Sequence, residues 1–302
     1  MLRRPFFIIN PAAAGGRAAD WWGRARPALE REFPRARFGV ARRGREELAD
    51  IVAEAVAADF DVVGVGGDGT HHDLINAIVE QNLTGTCTYV PLPVGSGNDW
   101  CRTLRVPRHL VHWLQVMREG RTLQHRIGYL RFGTGEVRHF INVAGFAYDA
   151  EVVRRVASSP YKHRLVYPAL TALHLPAYRP PDLTVRLDGE EVHGRFHTIN
   201  LGIGRYSGGG MQLVPHARPT ADRLAVTYAR EMGAARIALN GWRFYTDTIG
   251  SVRGVTTTHA ALVEITGATG VEADGEYLGS APVSAGLIEP RLRVRCGALR
   301  GT

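Results

Sequence analysis

The chain has 302 residues, of which 45% are hydrophobic and 22% charged, with a formal net charge of +8. That profile suits a soluble globular protein of about two domains with a real core. An isoelectric point near 9.8 favours anionic partners: a nucleotide, a nucleic acid or the acidic face of a membrane. Lys162, in Tyr-Lys-His-Arg, is the one lysine among 37 basic side chains, which excludes the Gly-Lys-Ser/Thr end of a Walker A loop and the strand lysine of the protein kinases.

From the N-terminus, Phe6 to Ile9 reads as a buried strand; its apolar run is too short for a signal peptide. Asn10-Pro11 and the small-residue loop Ala12 to Gly16 end it. Trp21 to Phe33 has helical spacing that Pro27 should break or kink. Arg37 to Ala41 is a second strand, and Glu46 to Ala57 a helix with Leu48, Ile51, Val52 and Val56 on one stripe. Strand 61–65 then runs into Gly66-Gly67-Asp68-Gly69-Thr70, and helix 70–81 follows. Strand, glycine turn and helix start form a phosphate-binding arrangement, because backbone N–H groups line the turn and the helix N-terminus is positive. The alternative is an ordinary glycine-rich turn. A carboxylate beside a polyphosphate repels it unless a metal ion intervenes, so Asp68 suggests Mg²⁺.

Cys87 to Pro91 is the next strand. It leads into a second loop of the same type, Gly95-Ser96-Gly97-Asn98-Asp99. Asp99 is either the N-cap of the short helix behind it or a second acid near the metal. His71 and His72 point to different faces of the helix start and read as surface or cleft polar groups. Arg108 to Arg118 is helical, with Leu110, Leu114 and Met117 inward. Repeated strand–helix units imply a parallel, layered sheet, with the three loops along the edge where open α/β sheets bind ligands.

After residue 125 the texture is β-rich. Residues 125–132 and 137–143 should pair across Gly133-Thr134-Gly135, and 183–187 with 192–201 across Asp188-Gly189. Further strands are expected near 223–229, 261–266, 271–278 and 291–296, with helices near 148–157, 162–174 and 233–247. A sandwich follows from this pattern. Cys87, Cys101 and Cys296 are odd in number and not spaced for a metal, which argues against disulfides and zinc and for a reducing compartment. No apolar stretch approaches the roughly 18 residues of a membrane span. The expected location is cytoplasmic, with any membrane met peripherally. The arginines are scattered and carry no nucleic-acid-binding pattern, so nucleic acid is not an expected partner. A homodimer stays open.

These residues resemble the diacylglycerol kinase catalytic-domain family, soluble bacterial lipid kinases related to the sphingosine and ceramide kinases. The matching motifs are Asn10-Pro11 with Gly15-Gly16, the 66–70 loop with Asn76, and Pro91 to Asp99. Asn142 to Ala150, Gly208-Gly209-Gly210-Met211 with Pro215, and Asp274-Gly275-Glu276 continue them. The resemblance implies an α/β nucleotide-binding domain over 1–125, a β-sandwich domain over 126–302, and an active site in the cleft between them. It also implies ATP and Mg²⁺, and a lipid alcohol such as diacylglycerol, taken from an anionic membrane surface, as acceptor.

On this reading Gly66, Gly67, Gly69 and Thr70 hold the triphosphate, assisted by Asn10, Ser96, Gly97 and Asn98, while Asp68 holds the metal. Glu276 serves as base for the acceptor hydroxyl; without the resemblance it would pass for a hairpin-turn residue. The chain departs from the family at Asp73, where glutamate is usual, at Val40, where a threonine is common, and at Ala221-Asp222-Arg223 and Ala225. Acids in that last stretch hold a structural Mg²⁺ in some members. The segment Tyr161 to Leu173 is either a membrane-facing helix or one packed on the sandwich. The competing functions are an NAD kinase, which shares the GGDG-type loop, and a lipid- or nucleotide-binding protein without catalysis.

Overall fold

A computed structural model describes residues 4–41, 45–158, 171 and 173–298. Its contacts fall into two units, one formed by residues up to His125 together with those from Pro290 on, the other by Arg126–Glu289. The first unit begins with β1 (Pro5–Ile9), α1 (Arg17–Glu32), β2 (Arg37–Val40), α2 (Arg45–Ala57) and β3 (Asp61–Gly66). It continues with α3 (Asp68–Glu80), β4 (Thr88–Pro93), α4 (Asp99–Thr103), α5 (Leu110–Glu119) and β5 (Arg121–His125). The second unit holds β6 (Gly128–Phe132), β7 (Val137–Phe140), β8 (Val143–Ala147), α6 (Tyr148–Ser158), β9 (Asp182–Leu187), β10 (Glu190–Gly202) and β11 (Leu224–Arg230). Then come α7 (Ala234–Asn240), β12 (Val255–Ala260), β13 (Leu262–Thr266), β14 (Gly270–Ala273), β15 (Glu276–Ser280) and β16 (Val283–Leu287), before β17 (Leu292–Cys296) returns to the first unit.

The first sheet has the order β2-β1-β3-β4-β17-β5, parallel except for β5, which runs against β17. β1 and β3 are buried along their whole length, as strands covered on both faces must be. Adjacent residues of β1 face opposite layers. Phe7 packs 6.0 Å from Trp22 of α1 and 6.3 Å from Trp113 of α5. Phe6 points the other way, where a Cβ on Gly39 would strike both its ring and Ile51 of α2. From the β1/β3 seam the chain winds outward in both directions, so the loops after these strands open at the switch point where such sheets bind ligands.

α1 starts at Arg17 and passes through Pro27 without ending. The expected break fails because Pro27 is exposed, and the carbonyl of Gly23 that loses its partner sits on the solvent face. The expected strand from 125 to 132 is two strands. His125 closes β5 in the first sheet, and β6 begins the second unit at Gly128. The second unit also ends earlier than the expected 126–302, because β17 fills the place between β4 and β5.

The second unit is a sandwich folded over one long strand. β10 pairs β9 through Glu190–Arg195, then lies between β8 and β11 through Gly202, with an irregularity between Phe196 and Thr198. One layer is therefore β9-β13-β16-β6-β7 beside the start of β10, and the other is β15-β14-β8 with β11 and β12 beside its end. Phe140, Phe146, Phe196, Ile199, Leu201, Val263 and Val271 belong to the core between them.

The expected strand 271–278 is a hairpin, turned by Asp274 and Gly275 at φ 53° and 87°. The expected strand 137–143 is interrupted because Ile141, Asn142 and Val143 all donate backbone N–H to Asp274. The expected helix 233–247 shortens to α7, which passes at Gly241 into a 3₁₀ turn over Gly241–Tyr245. β12 and β16 had no counterpart in the sequence reading. The expected helix over 162–174, with most of the Tyr161 to Leu173 segment, lies outside the described residues. No described helix is long and apolar enough to cross a membrane.

Candidate active site

Three loops are sewn together at the carboxyl ends of β1, β3 and β4. Asn10 donates through Nδ2 to Thr70 Oγ1 at 3.2 Å and accepts from Ala12 N at 3.0 Å, so one side chain ties the first loop to the second. Val94 N donates to Gly66 O at 2.7 Å, which joins the second to the third. Gly67 and Gly95 then meet backbone to backbone: a Cβ on Gly67 would lie 3.0 Å from Gly95 Cα. The glycines are needed for this close approach.

Asn98 holds the third loop. It adopts a left-handed conformation at φ 55°, accepts from Gly95 N at 3.0 Å and donates to Gly95 O at 2.9 Å. Both ends of its carboxamide are spent inside the loop, so it shapes the backbone. Ser96 is exposed at the crest. Arg108, missed by the sequence reading, donates a guanidinium N–H to Gly95 O from 13 residues downstream. Its signal, one arginine among 36, could not be read from spacing.

α3 begins at Asp68, and its N-cap Gly67 makes no side-chain cap. The first-turn amides of Asp68, Gly69 and Thr70 thus have no intrahelical acceptor and face the loop mouth. Asp68 sits among them, half-buried, with Oδ1 accepting Trp100 N at 3.2 Å. Its carboxyl is pushed up to about 6, first by burial and then by the charge of Asp99, against the opposing pull of N–H groups at 98–100. Asp99 is itself buried, with Arg102 Nε 3.8 Å from its Oδ1.

The two carboxylates converge over one glycine. A Cβ on Gly97 would lie 2.9 Å from Asp68 Oδ2 and 3.7 Å from Asp99 Oδ2. Position 97 therefore leaves a small cradle between two hard oxygen donors whose mutual repulsion a cation would relieve. These residues fit Mg²⁺, which prefers carboxylate oxygen. The open choice at Asp99 between cap and second acid is answered in part: it makes no side-chain cap, and it faces the space that Asp68 faces.

His71 and His72 are both buried, so neither is the surface group that was one of the two expectations. His71 Nδ1 lies 2.8 Å from Tyr89 Oη, and its ring tilts against Trp100 at 5.6 Å between centroids. Burial lowers its pKa to about 3, so it is a neutral core histidine. Adjacent positions at a helix start can both be covered when the helix is buried nearly all round, as α3 is.

Glu276 belongs to the second unit, where it opens β15 opposite Ala273, half-buried. Its neighbour Asp274 accepts from Ile141 N and Asn142 N, each at 2.9 Å, and from Val143 N at 3.2 Å. Asp274 is thus a structural brace for the hairpin that carries Glu276. Beside it, Glu272 and Asp149 are buried acids, both pushed up mainly by desolvation. Asp149 accepts from Thr198 Oγ1, which also accepts Asn200 Nδ2 at 2.9 Å. Thr198 and Asn200 also line a mostly apolar cavity of about 50 Å³, whose walls include Leu213, Ile237, Phe244 and Val252. At 218–225, Asp222 lies 3.9 Å from Arg126 and joins no group of three ligating side chains among the described residues.

Comparison with known proteins agrees with this layout. A family model described as the diacylglycerol kinase catalytic domain matches residues 4–130. A second, described as the YegS C-terminal NAD kinase beta sandwich-like domain, matches residues 142–300, more than half of the chain. The chain belongs to the diacylglycerol kinase catalytic-domain family. It is a kinase of the lipid phosphotransferase class.

The kinase is 24% identical over 303 residues to a diacylglycerol kinase of Staphylococcus aureus (strain bovine RF122 / ET3-1), covering 94% of this chain and 89% of that one. A crystal structure of a diacylglycerol kinase from Bacillus anthracis str. Sterne superposes with a TM-score of 0.72 at 17% identity, over 98% of this chain and 97% of that one. A further structure from that organism, provisionally assigned the same activity, gives 0.77 at 18% identity and 98% of both chains. At such identity the structural likeness speaks for the fold of the kinase alone.

Proposed function

We propose that the kinase transfers the γ-phosphate of ATP to the hydroxyl of diacylglycerol or a related lipid alcohol. The observation that carries this reading is the pair of carboxylate oxygens, Asp68 Oδ2 and Asp99 Oδ2, converging over Gly97 beside the uncapped start of α3. Phosphoryl transfer is mostly a matter of position and charge, and this mouth offers both: amides for phosphate oxygens, and carboxylates for a cation. Mg²⁺, when bound, supplies neutralisation of the charge on the transferring phosphoryl group.

The chain's own groups divide the remaining work. The amides of Asp68, Gly69 and Thr70 bind phosphate, Asn10 and Asn98 keep the loops in shape, and Arg108 steadies the third loop from behind. Glu276 takes the proton of the acceptor hydroxyl as that oxygen forms its bond to the γ-phosphorus, while the bond from that phosphorus to the bridging oxygen breaks and ADP leaves. The mostly apolar cavity, lined also by the polar Thr198 and Asn200, supports an acceptor that is greasy and carries a polar group. About 50 Å³ is less than an acyl chain needs, so entry requires the 234–252 cover to lift.

A second reading is NAD phosphorylation, favoured by the description of the sandwich family model. One experiment separates them: γ-labelled ATP with diacylglycerol in mixed micelles, with NAD, and with no acceptor. Label in the organic phase supports the lipid reading. Labelled NADP, with none in the organic phase, overturns it.

A further inference from the structure

We propose that the exposed stripe Arg236, Leu239, Trp242 and Tyr245 is the surface by which this protein docks on an anionic lipid bilayer. The stripe starts on α7 and continues over the 3₁₀ turn that follows, with one member every third residue. Leu239 is 76% exposed, Trp242 56% and Tyr245 57%. Three of the eight large exposed hydrophobic residues found among the described residues thus fall within seven positions. Single exposed apolar residues are ordinary, but a contiguous set marks an interaction surface.

The opposite side of the same segment accounts for its folding. Ile237 and Phe244 line the apolar cavity, Ile249 is buried, and Phe244 O accepts Gln212 N at 2.6 Å. The outward side chains are therefore not needed to hold the segment down. Their chemistry selects the partner. Tryptophan and tyrosine favour the water–lipid boundary, where an apolar ring and a polar tip are both satisfied. Arg243 lies with its guanidinium 4.7 Å from the centre of the Trp242 ring and donates to Ser251 Oγ at 2.7 Å.

Between Arg230 and Arg253 the chain carries four arginines against two acids, Glu231 and Asp247. Those acids are already paired, with Arg195 at 3.1 Å and with Arg205 at 2.8 Å. Arg230 is turned to Phe196 and His193, so the stripe's own cations are Arg236, which is exposed, and Arg243 against Trp242. An apolar, aromatic stripe with these two arginines complements a surface of acidic headgroups. The inference rests on the lipid-acceptor reading for its purpose. On that reading, the segment that covers the apolar cavity is the one that meets the source of the acceptor.

The test is co-sedimentation with phosphatidylcholine vesicles, with and without phosphatidylglycerol, of the wild type, the triple variant L239S/W242S/Y245S and Arg236→Ser. The wild type should bind the anionic vesicles. The triple variant should lose on the order of tenfold or more in partition, and Arg236→Ser a smaller part, with thermal midpoints unchanged. Turnover on short-chain diacylglycerol dispersed in detergent should survive in all three. Wild-type binding by the triple variant, or no vesicle binding by the wild type, overturns the proposal. A wild-type dimer that the triple variant turns into monomers also overturns it, since a second copy then covers the stripe. If the wild type phosphorylates no lipid yet binds anionic vesicles through the stripe, the acceptor reading falls and the docking surface stands.

Discussion

Asp68 owes its place to Gly97: a methyl group there would stand 2.9 Å from Asp68 Oδ2. Gly97 does not have a positive φ, so alanine suits its backbone and the penalty is confined to the cradle. Gly97→Ala should lower turnover about 10²-fold and weaken Mg²⁺-dependent ATP binding, since small misplacements at a reacting site cost that much. Calorimetric titration with Mg²⁺–ATP checks it; unchanged affinity with unchanged turnover would contradict the assignment.

Asp68→Asn should uncouple activity from stability. Asp68 titrates near 6 in the folded protein against an ordinary 3.8. Between those values the folded state holds more proton than the unfolded one, so stability falls as pH rises through the window, and the full cost is present above it. Asparagine cannot ionise and can still accept from Trp100 N. Without metal at pH 8 the variant should be more stable than wild type by on the order of 1–3 kcal/mol, with the gap closing below about pH 4. Turnover should fall by about 10²-fold or more. Urea melts at the two pH values, together with a kinase assay, check both halves.

Glu276→Gln removes a base and leaves shape and volume. Turnover should drop by on the order of 10²-fold while the KM for ATP stays near wild type, because the residue acts on the acceptor. A rise in that KM with turnover intact would move Glu276 to nucleotide binding.

Asp274→Ala should damage folding where Glu276→Gln does not. It strands the N–H groups of Ile141, Asn142 and Val143 together. It also asks alanine to accept a φ of 53°. A loss of about 3 kcal/mol or more in urea melts is expected. Asp274→Asn, which keeps an acceptor and tolerates that φ, should lose less.

The first unit was largely readable. Phe6 to Ile9 and strand 61–65 are unbroken apolar runs, and such runs between helical stretches imply buried parallel strands. The glycine loops declared themselves because close backbone approach admits nothing larger. The β-branched run Val255 to Thr258 is a local strand signal that the sequence reading passed over. Other features rest on distant partners. The small residues of Val283 to Leu287 carry no strong strand pattern. The alternation of Leu292 to Cys296 shows a strand but not its sheet. Arg108 and the convergence of Asp99 on Asp68 depend on folding of loops that spacing does not encode. The burial of His71 and His72 was missed because burial all round a helix is set by its neighbours.

β17 makes the second unit an insertion within the first. β4 and β5 are neighbours only through this strand, which pairs with both. During synthesis the first sheet therefore stays open on that side, with two unsatisfied strand flanks, until Cys296 has left the ribosome. The sandwich is translated in the interval, so the half that reads first in the sequence is the half completed last.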